Sequence, residues 1–112
     1  MAVLDSAYII RRSGTVAQAA RTKHYIVAVD GSIAFILQGR KADQAVYRPR
    51  ERGLRWHVMV YRSNRGHVQV KVYDMWTGQL ACEWHDCQGL ESLPDEQWLR
   101  QVLMREGVIE VV

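Results

Sequence analysis

The clearest pattern in the sequence is an alternation of apolar and polar positions over residues 54–86. Three short runs in this stretch carry an apolar residue at every second position, which is the period of a β-strand with one buried face. Two turns that contain glycine separate the runs. The pattern therefore predicts a meander of three antiparallel strands. Its predicted core positions are Trp56, Val58, Val60, Val68, Val70, Val72, Leu80, Cys82 and Trp84.

The two turns also predict the register of this meander. If Gly66 is the left-handed residue of a three-residue loop, Val60 lies opposite Val70. The next turn then places Val72 opposite Leu80. Both turns bring the valines to the same face, whereas a slip of one residue would send them to opposite faces.

Residues 24–38 are expected to form a further hairpin. The pair Asp30-Gly31 separates two β-rich runs, and it is a strong hairpin signal because both central turn positions favour positive φ. Almost every position in the two runs is apolar, so we expect both faces of this hairpin to be covered, one of them by a helix or a second chain.

Helices are predicted near both ends of the chain. A capping-box spacing predicts a short helix over 16–22, whereas residues 5–12 fit a helix or a strand. Ser92 is the expected cap of a C-terminal helix that ends at Gly107, and the tail 108–112 is β-like. The predicted fold class is α+β: an antiparallel sheet of about five strands, with the C-terminal helix packed on one face and short N-terminal helical segments beside it.

The length of 112 residues fits a single domain, 1–112. Its one long connection covers residues 39–53, where Pro49 and two glycines argue against a regular element. A loop of that length in a small domain is usually functional or mobile.

The net charge of +3 hides an uneven distribution along the chain. Residues 1–74 carry 13 basic and 5 acidic side chains, whereas residues 75–112 carry 2 basic and 7 acidic ones. We expect the acidic side chains to form a solvated face, or to pair with the basic segment of a second copy in a homodimer. They are Glu91, Asp95, Glu96, Glu106 and Glu110.

Six of the 15 basic residues fall on residues 40–55, and five of the six are arginine, which suits bidentate contacts to phosphate or carboxylate. Aromatic residues bracket the arginine run, as in proteins that bind single-stranded nucleic acid. The alternative is an ordinary solvated loop. The predicted nucleic-acid-binding residues are Arg40, Lys41, Tyr47, Arg48, Arg50, Arg52, Arg55, Arg62, Arg65 and Lys71.

The predicted outer face of the meander and the turn after its second strand carry large side chains of the types enriched in protein interfaces. These candidates for a protein interface are Met59, Tyr61, Tyr73, Met75 and Trp76. The alternative is that the N-terminal segments cover this face and turn it into a second core layer.

Two further groups contain residue types that carry chemistry. Cys82, His85 and Cys87 are zinc-ligand types, but residues 82 and 85 of a strand point to opposite faces, so we favour a core Cys82 and no metal. A cluster of His57, His67 and His85 on the outer face would suit acid–base work on RNA. No established catalytic motif accompanies it, and surface histidines are the simpler interpretation.

The sequence therefore favours a small non-enzymatic binding protein without a cofactor, whose anionic partner is nucleic acid or a nucleoprotein complex. The alternative is a protein-binding adaptor or inhibitor, such as a phage-type inhibitor of a host enzyme. The N-terminal residues lack the order of a secretory signal, and the apolar run Ile33 to Leu37 is far shorter than the ~20 residues of a membrane helix. We expect a cytoplasmic protein that does not enter the membrane.

Overall fold

A computed structural model describes residues 5–11 and 14–110 of the chain. Its centre is an antiparallel sheet of five strands in the order β3-β2-β5-β6-β7, which confirms the predicted α+β class. A small second sheet pairs β1 with β4. The elements are β1 Tyr8–Ile9, α1 Val16–Ala20, β2 Thr22–Ala28, β3 Ile33–Gln38, β4 Val46–Tyr47, β5 Leu54–Arg62, β6 Val68–Asp74, β7 Leu80–His85 and α2 Gln97–Arg105, with 3-10 turns at Gly39–Ala42, Asp86–Gln88 and Leu90–Ser92.

The hairpin of β5 and β6 has the register that the sequence predicts. Val60 lies opposite Val70, and Val58 lies opposite Val72. Gly66 closes the loop with a φ of 86°, a conformation that L side chains rarely adopt. The left-handed turn residue and the alternation of the valines therefore select the same pairing.

The pairing of β6 with β7 differs from the prediction by two residues. Val72 lies opposite Cys82 rather than Leu80. The turn places Leu80 opposite Tyr73, which is one residue from the prediction, and a β-bulge between these two pairs adds the second residue. A shift of two residues preserves the faces, so the valines still point into one core. Leu80 itself is 46% exposed instead of buried.

Helix α2 packs on one face of the sheet, as predicted. Leu99, Val102 and Leu103 are its buried residues, and they lie against the strand valines. Burial of one such side chain contributes ~1.5–3 kcal/mol. The strand residues of this core are Tyr25, Val27, Val58, Val60, Val68, Val70, Val72 and Trp84.

The start of α2 corrects the predicted cap. Ser92 lies in a 3-10 turn, and the residue that precedes the helix is Glu96. The physical reason is Pro94, which restricts Leu93 to an extended conformation, and Leu93 indeed has φ −71° and ψ 137°. Gly107, with a φ of 71°, follows the end of the helix as predicted.

The hairpin of β2 and β3 forms as predicted, but its turn is longer than the predicted two residues. Of its two central residues only Gly31 has positive φ, at 89°. The carboxylate of Asp30 accepts hydrogen bonds from the backbone N–H and the hydroxyl of Ser32. These bonds stabilise a three-residue connection in which one left-handed residue is sufficient.

The N-terminal region settles two of the predictions. Thr15 and Gln18 form the capping box of α1, and the helix ends at Ala20 because β2 begins at Thr22. Of the segment 5–12, which fits a helix or a strand, residues 8–9 form β1, and residue 12 lies outside the described residues.

The C-terminal tail forms no strand over its described part, residues 108–110. Val108 and Ile109 pack against the core of the helix face instead. Residues 111–112 lie outside the described residues.

The second face of the sheet is covered over β2, β3 and much of β5, which corrects the predicted solvent face of the meander at His57 and Met59, while Tyr61, Lys71 and Tyr73 stay partly accessible. Residues 5–11 and 39–53, here called the cover, lie on it, and the 39–53 connection contains β4 and a 3-10 turn instead of being wholly irregular. His57 is 2% exposed and Met59 is 9% exposed. The buried cluster beneath the cover contains Ile10, Ile26, Ala42, Leu54 and Met75.

Candidate nucleic-acid interface

Trp76 organises the end of the sheet where β5 begins. Its indole N–H donates to the carbonyl of Leu54 at 2.6 Å, and its backbone N–H donates to Asp74 at 2.9 Å. The guanidinium carbons of Arg50 and Arg55 lie 4.5 and 4.1 Å from the ring centre of Trp76. Both distances are within the range of a cation–π contact.

The stacking continues beyond Trp76 across the end of the sheet. Arg55 also lies 5.0 Å from the ring of Trp56, and Trp56 stacks on Trp98 with ring centres 5.2 Å apart and planes within 8° of each other. Five planar groups thus follow one another in contact. This planar ladder consists of Arg50, Trp76, Arg55, Trp56 and Trp98.

Arg55 is the fixed centre of the ladder. Its Nε and Nη2 atoms donate to the two carboxylate oxygens of Asp74 at 3.1 and 3.0 Å, a bidentate arrangement. The carboxylate offsets its charge, so Arg55 supports its neighbours more than it adds positive charge to the surface.

Arg50 and Arg52 are exposed, and each has its guanidinium over a ring. Arg52 lies 5.5 Å from the ring centre of Phe35. Over residues 5–11 and 14–110, neither arginine has a carboxylate within 4.0 Å. Each guanidinium group thus contacts a ring while its residue stays exposed to solvent.

Asp5 fastens this arginine loop to the N-terminal segment. Its carboxylate accepts from the backbone N–H groups of Arg50 at 3.2 Å and Glu51 at 2.9 Å. Arg48 donates to the backbone carbonyl of Asp5 at 3.2 Å, and this uncharged acceptor does not offset the positive charge of the guanidinium group. Residues 48–55 together with Trp76 are called the arginine end below.

The structure does not bring all ten predicted nucleic-acid-binding residues together. Strand β5 separates Arg55 from Arg62 by about 23 Å at ~3.3 Å per residue, and Arg65 lies in the turn beyond Arg62. Arg62 is paired with Glu106, and Lys71 lies midway along β6 on the second face. The remaining predicted residues lie in the cover: Arg40 in a 3-10 turn, Lys41 exposed beside it, and Tyr47 half-buried against Phe35.

The five candidates for a protein interface are divided by burial. Met75 is 3% exposed and belongs to the cluster beneath the cover, and Met59 is also buried. Tyr61, Tyr73 and Trp76 are half-buried and retain some accessible surface. The two methionines therefore belong to a second core layer, which was the alternative to a protein interface.

A buried pair of histidines is the functional arrangement that sequence reasoning missed. The Nδ1 atom of His24 lies 2.8 Å from the Nε2 atom of His57, and the hydroxyl of Tyr8 lies 2.6 Å from Nδ1 of His57. Burial lowers the pKa of His57 to about 3, assisted by His24, and it lowers the pKa of His24 to about 4. Both rings are therefore neutral at pH 7.

The cluster of His57, His67 and His85 that the sequence allowed is not formed, and the simpler interpretation of surface histidines holds for His67 and His85 but not for His57. His67 lies at the surface beside Asp86, with Nδ1 and a carboxylate oxygen 3.3 Å apart, and His85 lies 3.3 Å from the sulfur of Cys87. His57 faces His24 instead. In the sequence, the only sign that residues next to the 25–37 hairpin would be buried was the apolar character of that hairpin.

No metal centre is formed by Cys82, His85 and Cys87. Cys82 is half-buried against the helix-face core, and burial raises the pKa of its thiol. Within residues 5–11 and 14–110, no group of three or more His, Cys, Asp or Glu side chains is placed to hold a metal ion.

Glu106 corrects the prediction that the acidic residues of the C-terminal region are all solvated. Its side chain is 6% exposed, and its carboxylate lies 2.9 Å from Nζ of Lys23 and 3.7 Å from Arg62. The hydroxyl of Tyr25 donates to it as well. Burial raises the pKa of Glu106, but these hydrogen bonds and positive charges outweigh that effect and hold the pKa below its usual value.

A groove runs beside the histidine pair, between the N-terminal segment and strands β5 and β6. Tyr8, Arg11, His57 and Tyr73 contribute its polar and aromatic lining, and its volume is about 430 Å³. The ring centres of His57 and Tyr73 are 5.8 Å apart. The groove is thus a second concave site, adjacent to the arginine end.

Searches against protein-family models, curated proteins and solved structures found no match to this chain. Neither helix in the described part of the chain has the length and apolar character needed to cross a membrane.

Proposed function

We propose that this protein binds single-stranded nucleic acid at the arginine end. The observation that carries the proposal is the planar ladder, which alternates guanidinium groups with indole rings across one end of the sheet. Single-stranded nucleic acid is bound by this combination of stacking surfaces and positive charge, without a need for base-specific contacts.

The charges at this end favour a polyanion. Arg48, Arg50 and Arg52 are exposed together with a single exposed carboxylate, Glu51. Asp74 is engaged by Arg55, and the carboxylate of Asp5 by backbone N–H groups. Three guanidinium groups therefore face solvent with donor atoms available for phosphate oxygens. Because ring contacts and Asp5 already hold the loop, little conformational entropy remains to be lost on binding.

The salt dependence of oligonucleotide binding tests this proposal. We expect the logarithm of the binding constant to fall linearly with the logarithm of salt concentration, because each phosphate contact releases counterions. Replacing Arg50 and Arg52 by Gln should lower the slope by about 1.4 for a single strand, at ~0.7 per lost contact. Absence of binding at low salt, or an unchanged slope in this variant, would reject the proposal.

A matched control is available at the opposite end of the sheet. Arg21 and Arg65 are exposed, and their replacement by Gln removes the same formal charge. We expect this variant to keep the slope of the unmodified protein. Equal losses in the two variants would show that net charge alone, rather than the arginine end, attracts the oligonucleotide.

A protein partner is the second candidate, and exposed apolar side chains at the same end favour it. Leu80 and Val29 are both largely accessible there, close to the turns of the two hairpins. For an adaptor or inhibitor of this kind, Leu80→Asp would abolish binding to the partner, whereas replacement of Arg50 and Arg52 would only slow association. The proposed compartment is the cytoplasm, where the free thiols of Cys82 and Cys87 would stay reduced.

A further inference from the structure

The groove beside the histidine pair has the dimensions of a small-ligand site. Its volume of about 430 Å³ lies within the usual range for such pockets, and its lining combines aromatic rings with a few polar groups. Gly78 lines it from the turn that also carries Trp76, so the groove and the arginine end are neighbours. A strand bound at one therefore passes close to the other.

Tyr8, His57 and His24 form a chain of hydrogen bonds whose protons shift together. In one arrangement the Tyr8 hydroxyl donates to His57, and His57 donates to His24; in the other, both bonds reverse. Burial lowers the pKa of His24, and the nearby carboxylate of Asp43 opposes that change. In the first arrangement, the outer nitrogen of His24 carries the proton.

In this arrangement the Tyr8 oxygen has its own hydrogen committed to His57 and offers lone pairs to the groove. Both imidazoles are neutral at pH 7, so the inner part of the groove has no positive charge with which to bind a phosphate. The matching ligand is a neutral planar group with an N–H donor. The exposed Arg11 lies at the lining of the same groove and supplies a positive charge farther out.

We propose that this groove binds a nucleobase, which stacks against Tyr73 and donates an N–H to the Tyr8 oxygen, while its phosphate lies at Arg11. The proposal takes its ligand class from the proposed function, but it uses no residue of the arginine end. The groove would hold one unstacked base of a strand whose backbone lies on that end. The two sites are therefore separable by experiment.

NMR titration with mononucleotides tests the groove directly, because the aromatic signals of its lining report even weak binding. The probes are nucleoside 5′-monophosphates, the matching nucleosides and inorganic phosphate. We expect nucleotides and nucleosides to shift the signals of Tyr8, His57 and Tyr73, and inorganic phosphate alone to leave them unchanged. If phosphate alone reproduces the shifts, or if nucleotides cause none, the proposal is overturned.

Two substitutions locate the contacts. Tyr8→Phe removes the acceptor and should weaken nucleoside binding about fivefold, the value of one hydrogen bond. Tyr73→Leu keeps an apolar side chain but removes the stacking ring, and we expect a similar loss of nucleoside affinity. This second variant provides the test if Tyr8→Phe does not fold. Tyr61→Phe is the control, since Tyr61 does not line the groove. Unchanged affinity in both Tyr8→Phe and Tyr73→Leu would disprove the assignment.

The double Gln variant of Arg50 and Arg52 separates this proposal from the proposed function. We expect it to retain mononucleotide binding while its oligonucleotide binding is weakened. Oligonucleotide binding without any mononucleotide-induced shift of the groove signals would overturn only the proposed nucleobase site. Mononucleotide binding together with an oligonucleotide affinity that does not depend on salt would overturn only the proposal that the arginine end binds nucleic acid.

Discussion

The Nδ1 atom of His24 lies 2.8 Å from the Nε2 atom of His57, on a sheet face that the cover shields from water. Three of the four ring nitrogens take part in these contacts, with the Tyr8 hydroxyl as the third member of the chain. In the neutral pair, one N–H proton lies between the two rings. Protonation of both imidazoles would place two positive charges in contact within a buried site. The folded protein therefore depends on neutral histidines.

The first prediction is a loss of stability in mild acid. The pKa of His57 is lowered to about 3 and that of His24 to about 4, whereas both are near 6.5 in the unfolded chain. Below pH 6.5 the unfolded chain binds protons that the folded protein excludes, so the free energy of unfolding falls. Between pH 6.5 and 4.5 the expected loss is about 4 kcal/mol for the two groups together.

Denaturant unfolding at a series of pH values measures this loss. His85→Gln is the control, because His85 is exposed, and it should leave the pH dependence unchanged. A free energy of unfolding that stays constant from pH 6.5 to 4.5 would contradict the burial of neutral histidines.

The second prediction concerns the hydroxyl of Tyr8. Tyr8→Phe leaves Nδ1 of the buried His57 without its partner, which should destabilise the fold by ~1–3 kcal/mol. Thermal or denaturant unfolding gives the value. Tyr61→Phe should change stability by less than about 0.5 kcal/mol, since its side chain is only half-buried and makes no hydrogen bond within the described residues. Equal effects of the two substitutions would contradict the special role of the Tyr8 hydroxyl.

The third prediction concerns the carboxylate of Glu106, which joins the end of α2 to the sheet. Glu106→Gln removes the charge that faces Lys23 and Arg62 while it keeps an acceptor for Tyr25. The partners are partly exposed, so we expect a loss of only ~1–3 kcal/mol at neutral pH.

The pH dependence of this variant provides the check. Because the folded pKa of Glu106 is lowered, its contribution is present above the unfolded value and is lost as the pH falls through the folded value. The difference between Glu106→Gln and the unmodified protein should therefore shrink below pH 4.5. Asp95→Asn, at an exposed ion pair with Arg100, is the control and should have almost no effect.

The fourth prediction separates stacking from charge at the arginine end. Trp76→Leu removes the ring that supports Arg50 and Arg55 without changing any charge. Oligonucleotide affinity should fall about fivefold, since a surface cation–π contact is worth ~0.5–1 kcal/mol, while the salt slope stays the same. Trp76→Phe keeps a ring and should retain most of the affinity. A changed slope in Trp76→Leu would mean that the ring acts by placing phosphate contacts.

The sheet was predictable because its determinants are local. Gly66 and the alternating valines of β5 and β6 lie within a few residues of one another, and they specify the same register. The bulge after Val72 and a turn one residue longer than predicted together shifted the partner of Val72 by two residues. A periodic pattern does not reveal this shift, because Cys82 and Trp84 keep their predicted face.

The candidate site was only partly predictable, because its main contacts join distant parts of the chain. The arginine run and Trp76 stand out in the sequence, but the pairing of Arg55 with Asp74 depends on the fold. The hydrogen bond between Tyr8 and His57 crosses 49 positions. His57 lies between the apolar residues Trp56 and Val58 of its strand. A polar residue in such an alternation is usually predicted to lie on the solvent-exposed face.

The cover has a consequence for the motions of the protein. The backbone hydrogen bonds from Ile10 to Ala45 and from Gln44 to Ile10 run within the cover, and Gly53 at its end accepts one from Val29 beside β2. Segments that are attached mainly by side chains open as cooperative units below the free energy of global unfolding. The amide hydrogens of Ile10 and Gln44 should therefore exchange with solvent together, and earlier than those of Val58 and Val70. Since that opening admits water to His24, acid should lower the protection of the cover amides, measured relative to their intrinsic exchange rates, before the sheet itself unfolds.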